Sequence, residues 1–394
     1  MKNELMEDYT LIETPDALDQ FYEEHKNLDW LGFDTEFVGE KRYTTRLCLI
    51  QTISDKGLYL IDPIRLQERL GPFLRLIEDA RIEKITHAGD NDYRLLYNLY
   101  GILPRNVFDT QVVGGFVGYK YPTSFRKLVE GELGKRLKKG YAVADWEARP
   151  LKNKPIKYAL DDVIPLPGLW RSLKEKLKER EREHWADEEL QRLEQEAFYY
   201  KDPHHDALNS NLMRNLNTKE KAFLLRLYAW RDQLAKKRDH SKEMVLASKY
   251  IGHIVRGIPS GANALQQNRR IPNKLAQKYG KEFESLYKKD ISPEEQEILA
   301  RVPSEADISP KEQVLMELLY HVIKYRCLEE DISINMVVPR NLLKTIRSGE
   351  ETAKEAVGDG WRKEMLGKYF IDWLATAKDM NVQLADDKIV LIPH

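Results

Sequence analysis

Along the first 115 residues the apolar positions switch between two spacings. Residues 30–38 (WLGFDTEFV), 46–53 (RLCLIQTI) and 57–61 (GLYLI) read as strands, the last two parted by a turn at 54–56. Residues 66–80 are amphipathic, with Leu70, Phe73, Leu74 and Ile77 at helical spacing. A short strand at 82–86 precedes a helix from Asp92 to Tyr100, which Gly101 stops. From Thr110 onward the helical period dominates. Strands alternating with helices predict an α/β layer, a sheet covered by helices, and the remainder predicts an all-α region. Residues 171–200 interleave charges of both signs with sparse apolar positions, and so predict a helical surface connection held by Glu–Lys and Glu–Arg pairs. Helix-breaking stretches at 201–210 (KDPHHDALNS), 291–293 and 303–310 divide the rest. The expected domains are 1–200, 209–290 and 305–394, the last two being helical blocks of similar length that could form a divergent tandem pair.

Composition narrows the classes. A chain of 394 residues, 42% hydrophobic and 32% charged, has enough apolar material for two or three cored domains. No apolar run approaches a membrane span, and the acidic start MKNELMEDYT lacks the apolar segment of a secretory signal. Cys48 and Cys327 are far apart without ligand spacing, which excludes a disulfide framework and a zinc site. A cytoplasmic protein that does not engage a membrane is expected. The net charge of −1 conceals a cationic middle. Residues 201–290 carry 19 Lys and Arg against 9 Asp and Glu, whereas 1–200 carry 31 against 36 and 291–394 carry 13 against 19. Such a segment is the footprint of polyanion binding, or simply a solvated helical surface.

The acidic residues supply candidate chemistry. Asp34 and Glu36 lie two apart on a strand, so both carboxylates project to one face. Two like charges there are unfavourable without a cation, although two exposed acids at a strand end are the plain alternative. Asp92, in THAGDND, stands at a helix start, where a carboxylate can act as a mere cap; Asp90 is the better capping candidate, and His87 reads as structural. Tyr158 and Asp162, in KYALDDV, are four apart and share a helix face, with Asp161 turned about 100° away. A half-buried Tyr beside an exposed acid would explain that pair equally well.

Taken together these residues resemble the DEDD exonucleases. The pattern is D-x-E on the first strand, H-A-G-x-x-D after a later strand, and Y-x-x-x-D on a following helix. With FDTEF, RLCLIQ, FDTQ at 108–111 and DWEARPL at 145–151, the match runs in order through residues 15–200. It is similar to the Tyr-containing subgroup and to the ribonuclease D family; the His-containing subgroup would place a His where Lys157 stands. The resemblance implies a ribonuclease H-like exonuclease domain with a mixed sheet flanked by helices. It also implies catalysis by Asp34, Glu36, Asp92, Tyr158 and Asp162, with two divalent ions, Mg²⁺ or Mn²⁺, as cofactors. Asp34, Glu36 and Asp162 would hold the ion that activates water. Asp34 would bridge to a second ion supported by Asp92, and Tyr158 would orient the water. An all-oxygen ligand set suits such hard cations. Pro165 and Pro167 predict a kink just beyond Asp162, and Pro155 suits a helix start.

Residues 216–287 resemble the HRDC domain, a small helical bundle that binds nucleic acid in several relatives. Candidate RNA contacts are Arg231, Lys236, Lys237, Arg238, Arg269, Arg270 and Lys274, and Trp230 reads as core. Residues 310–380, including GWRKEMLG at 360–367, resemble a second, acidic HRDC-type unit. The implied activity is a metal-dependent 3′→5′ exoribonuclease that trims tRNA precursors or other structured RNA to nucleoside 5′-monophosphates, acting as a monomer. The alternatives are a DNA exonuclease of the Werner type and a catalytically inactive RNA-binding scaffold. The pair His204–His205 could suggest a metal site, but reads as a polar loop.

Overall fold

The computed structural model describes residues 8–137, 144–302, 309–338, 360–367, 380–385 and 388–393. The chain forms two compact units, one of residues 1–36, 47–199 and 308–394, the other of 37–46 and 200–307.

The first unit is built on six strands in the order β1-β4-β3-β2-β5-β6. These are β1 (Thr10–Ile12), β2 (Trp30–Val38), β3 (Arg46–Ser54), β4 (Gly57–Ile61), β5 (Glu83–Thr86) and β6 (Val107–Asp109). The sheet is mixed, as expected: β1 runs parallel to β4 and β2 to β5, β5 is parallel to β6, and β3 is antiparallel to β4. Central strands are buried on both faces, so β3 reads as a nearly continuous apolar run. On one side Leu31, Phe33, Ile50, Phe73, Ile77, Tyr93 and Leu96 form the core with the helices Pro15–His25, Gly71–Glu78 and Asp90–Tyr100. Burying each such side chain fully contributes roughly 1.5–3 kcal/mol.

The stretch 171–200, expected as a helical surface connection at the end of this domain, instead packs apolar side chains into the unit. The helix Leu166–Glu179 buries Leu169, Leu173 and Leu177, one every turn. The next helix, Glu183–Gln191, buries Trp185, Ala186 and Leu190. The stripe is narrow, which made it look sparse among many charges, but it is continuous.

The tail also departs from expectation. The described C-terminal residues group with the first unit, and they end in an antiparallel hairpin of β7 (Met380–Ala385) and β8 (Lys388–Pro393). Residues 339–359 and 368–379 of the expected second bundle lie outside the described residues. The GWRKEMLG run is described: Trp361 is buried and its ring meets Phe116 edge-on.

The second unit contains the helical bundle. Asn217 and Glu220 form a reciprocal capping box that opens the helix Thr218–Arg238. Phe223, Leu224, Leu227, Ile251, Ile254, Leu265 and Phe283 form the core with the helices Ser248–Gly257, Ala262–Gln267 and Asn273–Lys288. Trp230 packs edge-on against Tyr279 and Phe283, in accord with its assignment to the core. Both cysteines are buried, and neither is in a disulfide among the described residues. No helix among the described residues is long and apolar enough to cross a membrane.

Candidate active site

The pleat of β2 turns Gly32, Asp34 and Glu36 to one face. A Cβ on Gly32 would fall 2.7 Å from the Ile53 side chain and 3.4 Å from Leu166, so only glycine allows this close packing. The helix Asn153–Val163 carries Tyr158 and Asp162. It ends before Pro165, and a new helix starts at Leu166, so the expected break falls after Asp162 and leaves the Tyr–Asp turn intact. Asp34, Glu36 and Asp162 each bring a carboxylate oxygen within 4.8 Å of the others. Tyr158 Oη donates a hydrogen bond to Asp162.

Asp92 lies outside this triple but beside it. It is 6% exposed, in the first turn of Asp90–Tyr100, and accepts a hydrogen bond from Thr35 Oγ1. Asp90 is not the cap. The helix begins at Gly89 with no side-chain cap, after Ala88 in the left-handed region. The turn into the helix is held from another strand: Asp109, at the end of β6, accepts from Ala88 N at 3.1 Å and Gly89 N at 2.7 Å. His87 is structural, as expected, with one ring nitrogen against Thr110 Oγ1 and the other against the Thr123 carbonyl.

Burial and mutual repulsion govern the charge of the cluster. Burial, then Asp162 and Asp92, pushes Glu36 up to about 8. Burial pushes Asp92 and Asp162 up to about 7, against the hydrogen bonds from Thr35 and Tyr158 that lower them. Asp34 is raised well above the carboxylate range by burial and by the three other acids. Burial and the neighbouring Asp162 also raise Tyr158, so its phenol keeps its proton. Burial is the leading influence on each of the four acids, and for Asp34 and Glu36 the neighbouring acids come next. Four hard oxygen ligands that repel one another fit divalent cations, because cations would relieve the repulsion that the fold imposes.

Some supporting residues escaped the sequence reading. Gln51 Nε2 donates to Asp34 Oδ2 at 2.5 Å. Arg149, in DWEARPL, is mostly covered and paired with the buried Asp62, and also donates to the Cys48 carbonyl at 2.7 Å and the Trp146 carbonyl at 2.8 Å. Trp146 lies tilted toward Tyr158, with ring centroids 6.3 Å apart. The signal was a lone amide in an apolar strand for Gln51, and a polar Thr between two acids for Thr35.

In the helical unit one candidate contact is overturned. Arg231 is 5% exposed, and its guanidinium donates to the Lys242 carbonyl, Glu243 and Ser248. It sits on the inner face of Thr218–Arg238, so it ties the bundle together and faces no phosphate. Lys236, Lys237, Arg238, Arg269, Arg270 and Lys274 are all exposed, and Arg238 donates to Tyr279 Oη at 2.8 Å. His204 and His205 stand at the start of the short helix His205–Leu208 and join no metal-ligand cluster among the described residues.

Comparison with known proteins shows which family the chain is similar to. A family model described as 3′-5′ exonuclease matches residues 9–178, and one described as HRDC domain matches 220–286. The ribonuclease D of Cronobacter turicensis is 32% identical over 255 residues, which span 65% of this chain and 69% of that one. The chain belongs to the ribonuclease D family. As a ribonuclease D family member it is a 3′-5′ exoribonuclease. The family's enzyme from Bartonella henselae is 29% identical over 349 residues, covering 87% of this chain and 84% of its own. The fold is also that of Escherichia coli RNase D, whose crystal structure describes an exoribonuclease involved in structured RNA processing. The TM-score is 0.77 at 24% identity, over 91% of this chain and 96% of the other.

Proposed function

We propose that the protein is a cytoplasmic, monomeric exoribonuclease that uses two Mg²⁺ or Mn²⁺ ions. It shortens the single-stranded 3′ end of structured RNA, such as a tRNA precursor, and releases nucleoside 5′-monophosphates. The observation that carries this reading is the triple of Asp34, Glu36 and Asp162, with Asp92 buried beside Asp34 and Tyr158 bonded to Asp162. Asp34, Glu36 and Asp162 would hold one ion, and Asp34 with Asp92 the other. Bound there, the ions would acidify the attacking water and neutralise the departing 3′-oxygen. Tyr158 gives its proton to the hydrogen bond with Asp162, so its oxygen can accept from the water and aim it. With its pKa raised, the phenol is no base at neutral pH, and its contribution is orientation.

The exposed Lys236, Lys237, Arg238, Arg269, Arg270 and Lys274 support a phosphate-docking role for the helical unit. Incubation of matched 5′-labelled RNA and DNA strands with Mg²⁺ or Mn²⁺ tests the reading. The expected result is an RNA ladder shrinking from the 3′ end, abolished by EDTA and by Asp34→Asn. Preferential shortening of DNA would instead favour the Werner-type activity, and tight binding without shortening would favour the inactive scaffold.

A further inference from the structure

Gln51 lies in the middle of β3 with no solvent exposure. Its Nε2 donates to Asp34 Oδ2, while its Oε1 has no hydrogen-bond partner among the described residues. A buried amide with an unmet acceptor is unfavourable, and an apolar side chain of the same length would occupy the sheet without that penalty. Stability therefore does not account for glutamine here; its bond to Asp34 does. Thr35 is the counterpart. It is 6% exposed on the opposite face of β2 from Asp34, and its hydroxyl donates to Asp92 Oδ1. Two adjacent strands thus each give one neutral donor to one carboxylate.

We propose that Gln51 and Thr35 are positioning residues that set the carboxylate planes of Asp34 and Asp92 for divalent-ion binding. The inference rests on the reading of these acids as ion ligands. The neutrality of the donors is the central point. A Lys or Arg in either place would orient its acid, but it would also cancel the charge the cation needs. An amide N–H or a hydroxyl fixes rotation about the Cβ–Cγ bond and leaves the charge in place. Thr35 is doubly placed, because its backbone joins Asp34 to Glu36 while its side chain holds the fourth acid. One residue therefore relates three ligands to one another.

The experiment is thermal unfolding of the full chain titrated with MnCl₂, without substrate, alongside RNA hydrolysis at varied Mn²⁺. Mn²⁺ should raise the Tm of the parent but not of Asp34→Asn. Gln51→Met and Thr35→Val should melt cooperatively in EDTA, yet need about 10–100-fold more Mn²⁺ for half of the Tm rise and for half-maximal cleavage. KM for RNA at saturating Mn²⁺ should stay at the parent value, and Thr35→Ser should titrate like the parent. If Gln51→Met does not melt cooperatively, Gln51→Asn carries the test, because its amide stops one methylene short of Asp34 and the same loss is expected. A parent that shows no Tm rise with Mn²⁺ overturns the ion-ligand reading and this inference with it. A parent that responds, with Gln51→Met and Thr35→Val titrating identically to it, overturns the positioning role alone.

Discussion

Glu36 is held at about 8, and Asp92 and Asp162 at about 7, because the fold buries acids beside acids. The unfolded chain releases these protons near pH 4. Between pH 4 and 8 these three carboxyls therefore bind more protons in the native than in the unfolded state, and their contribution to stability falls as pH rises. In EDTA the Tm should drop from pH 5 to pH 8 on this account. Added Mn²⁺ should raise it far more at pH 8 than at pH 5, since cations compete with protons for the same oxygens. Differential scanning fluorimetry at the two pH values checks both statements. Tyr158→Phe isolates orientation from ligation: kcat should fall by about 10²-fold or more, while the Mn²⁺ midpoint in the Tm titration stays unchanged. Arg149 presents a different case. Its guanidinium satisfies Asp62 and three backbone carbonyls inside the protein. Arg149→Ala strands a buried carboxylate and should cost about 3–5 kcal/mol in urea unfolding.

The helix Asp90–Tyr100 shows how a candidate site residue, Asp92, is placed by packing around it. Its entry is fixed by Ala88 in a left-handed turn, by Gly89 against Thr86, and by the Asp109 carboxylate drawn from β6. A Cβ on Gly89 would stand 2.5 Å from Thr86 Oγ1 and 2.7 Å from Thr86 Cβ. Gly89→Ala should therefore destabilise by about 1–3 kcal/mol and lower cleavage by shifting Asp92. Equilibrium unfolding and single-turnover rates measure the two effects. The strands β2 to β5 and this helix were legible from spacing alone, and so was the shared face of Tyr158 and Asp162, whereas the three-residue strands β1 and β6 are too short to show a period. The part Asp109 plays at this helix entry was not, because Ala88 N and Gly89 N lie about twenty residues back along the chain. The stretch 171–200 was misread as a surface connection for a related reason: period shows that leucines recur each turn, but not that a sheet lies waiting to cover them.

Charge distribution bears on how the molecule holds RNA. The cationic excess of residues 201–290 survives as exposed side chains at six of the seven positions named from sequence, and Arg231 alone is spent internally. Replacing Lys236, Lys237 and Arg238 together with Ala should raise KM for a tRNA-like substrate more than for a short single strand. It should also reduce the slope of log affinity against log salt by roughly 2. Affinity measured across a salt series, with both substrates, distinguishes this from a general loss of folding.

The order of acids, the two hydrophobic periods and the cationic middle were all readable along the chain, because each depends on residue type and local spacing. Whether those acids meet, which neutral donors hold them and which arginine turns inward depended on three-dimensional packing. Those outcomes follow from close approach between segments up to about 130 residues apart, as between Asp34 and Asp162, and no local pattern encodes such an approach.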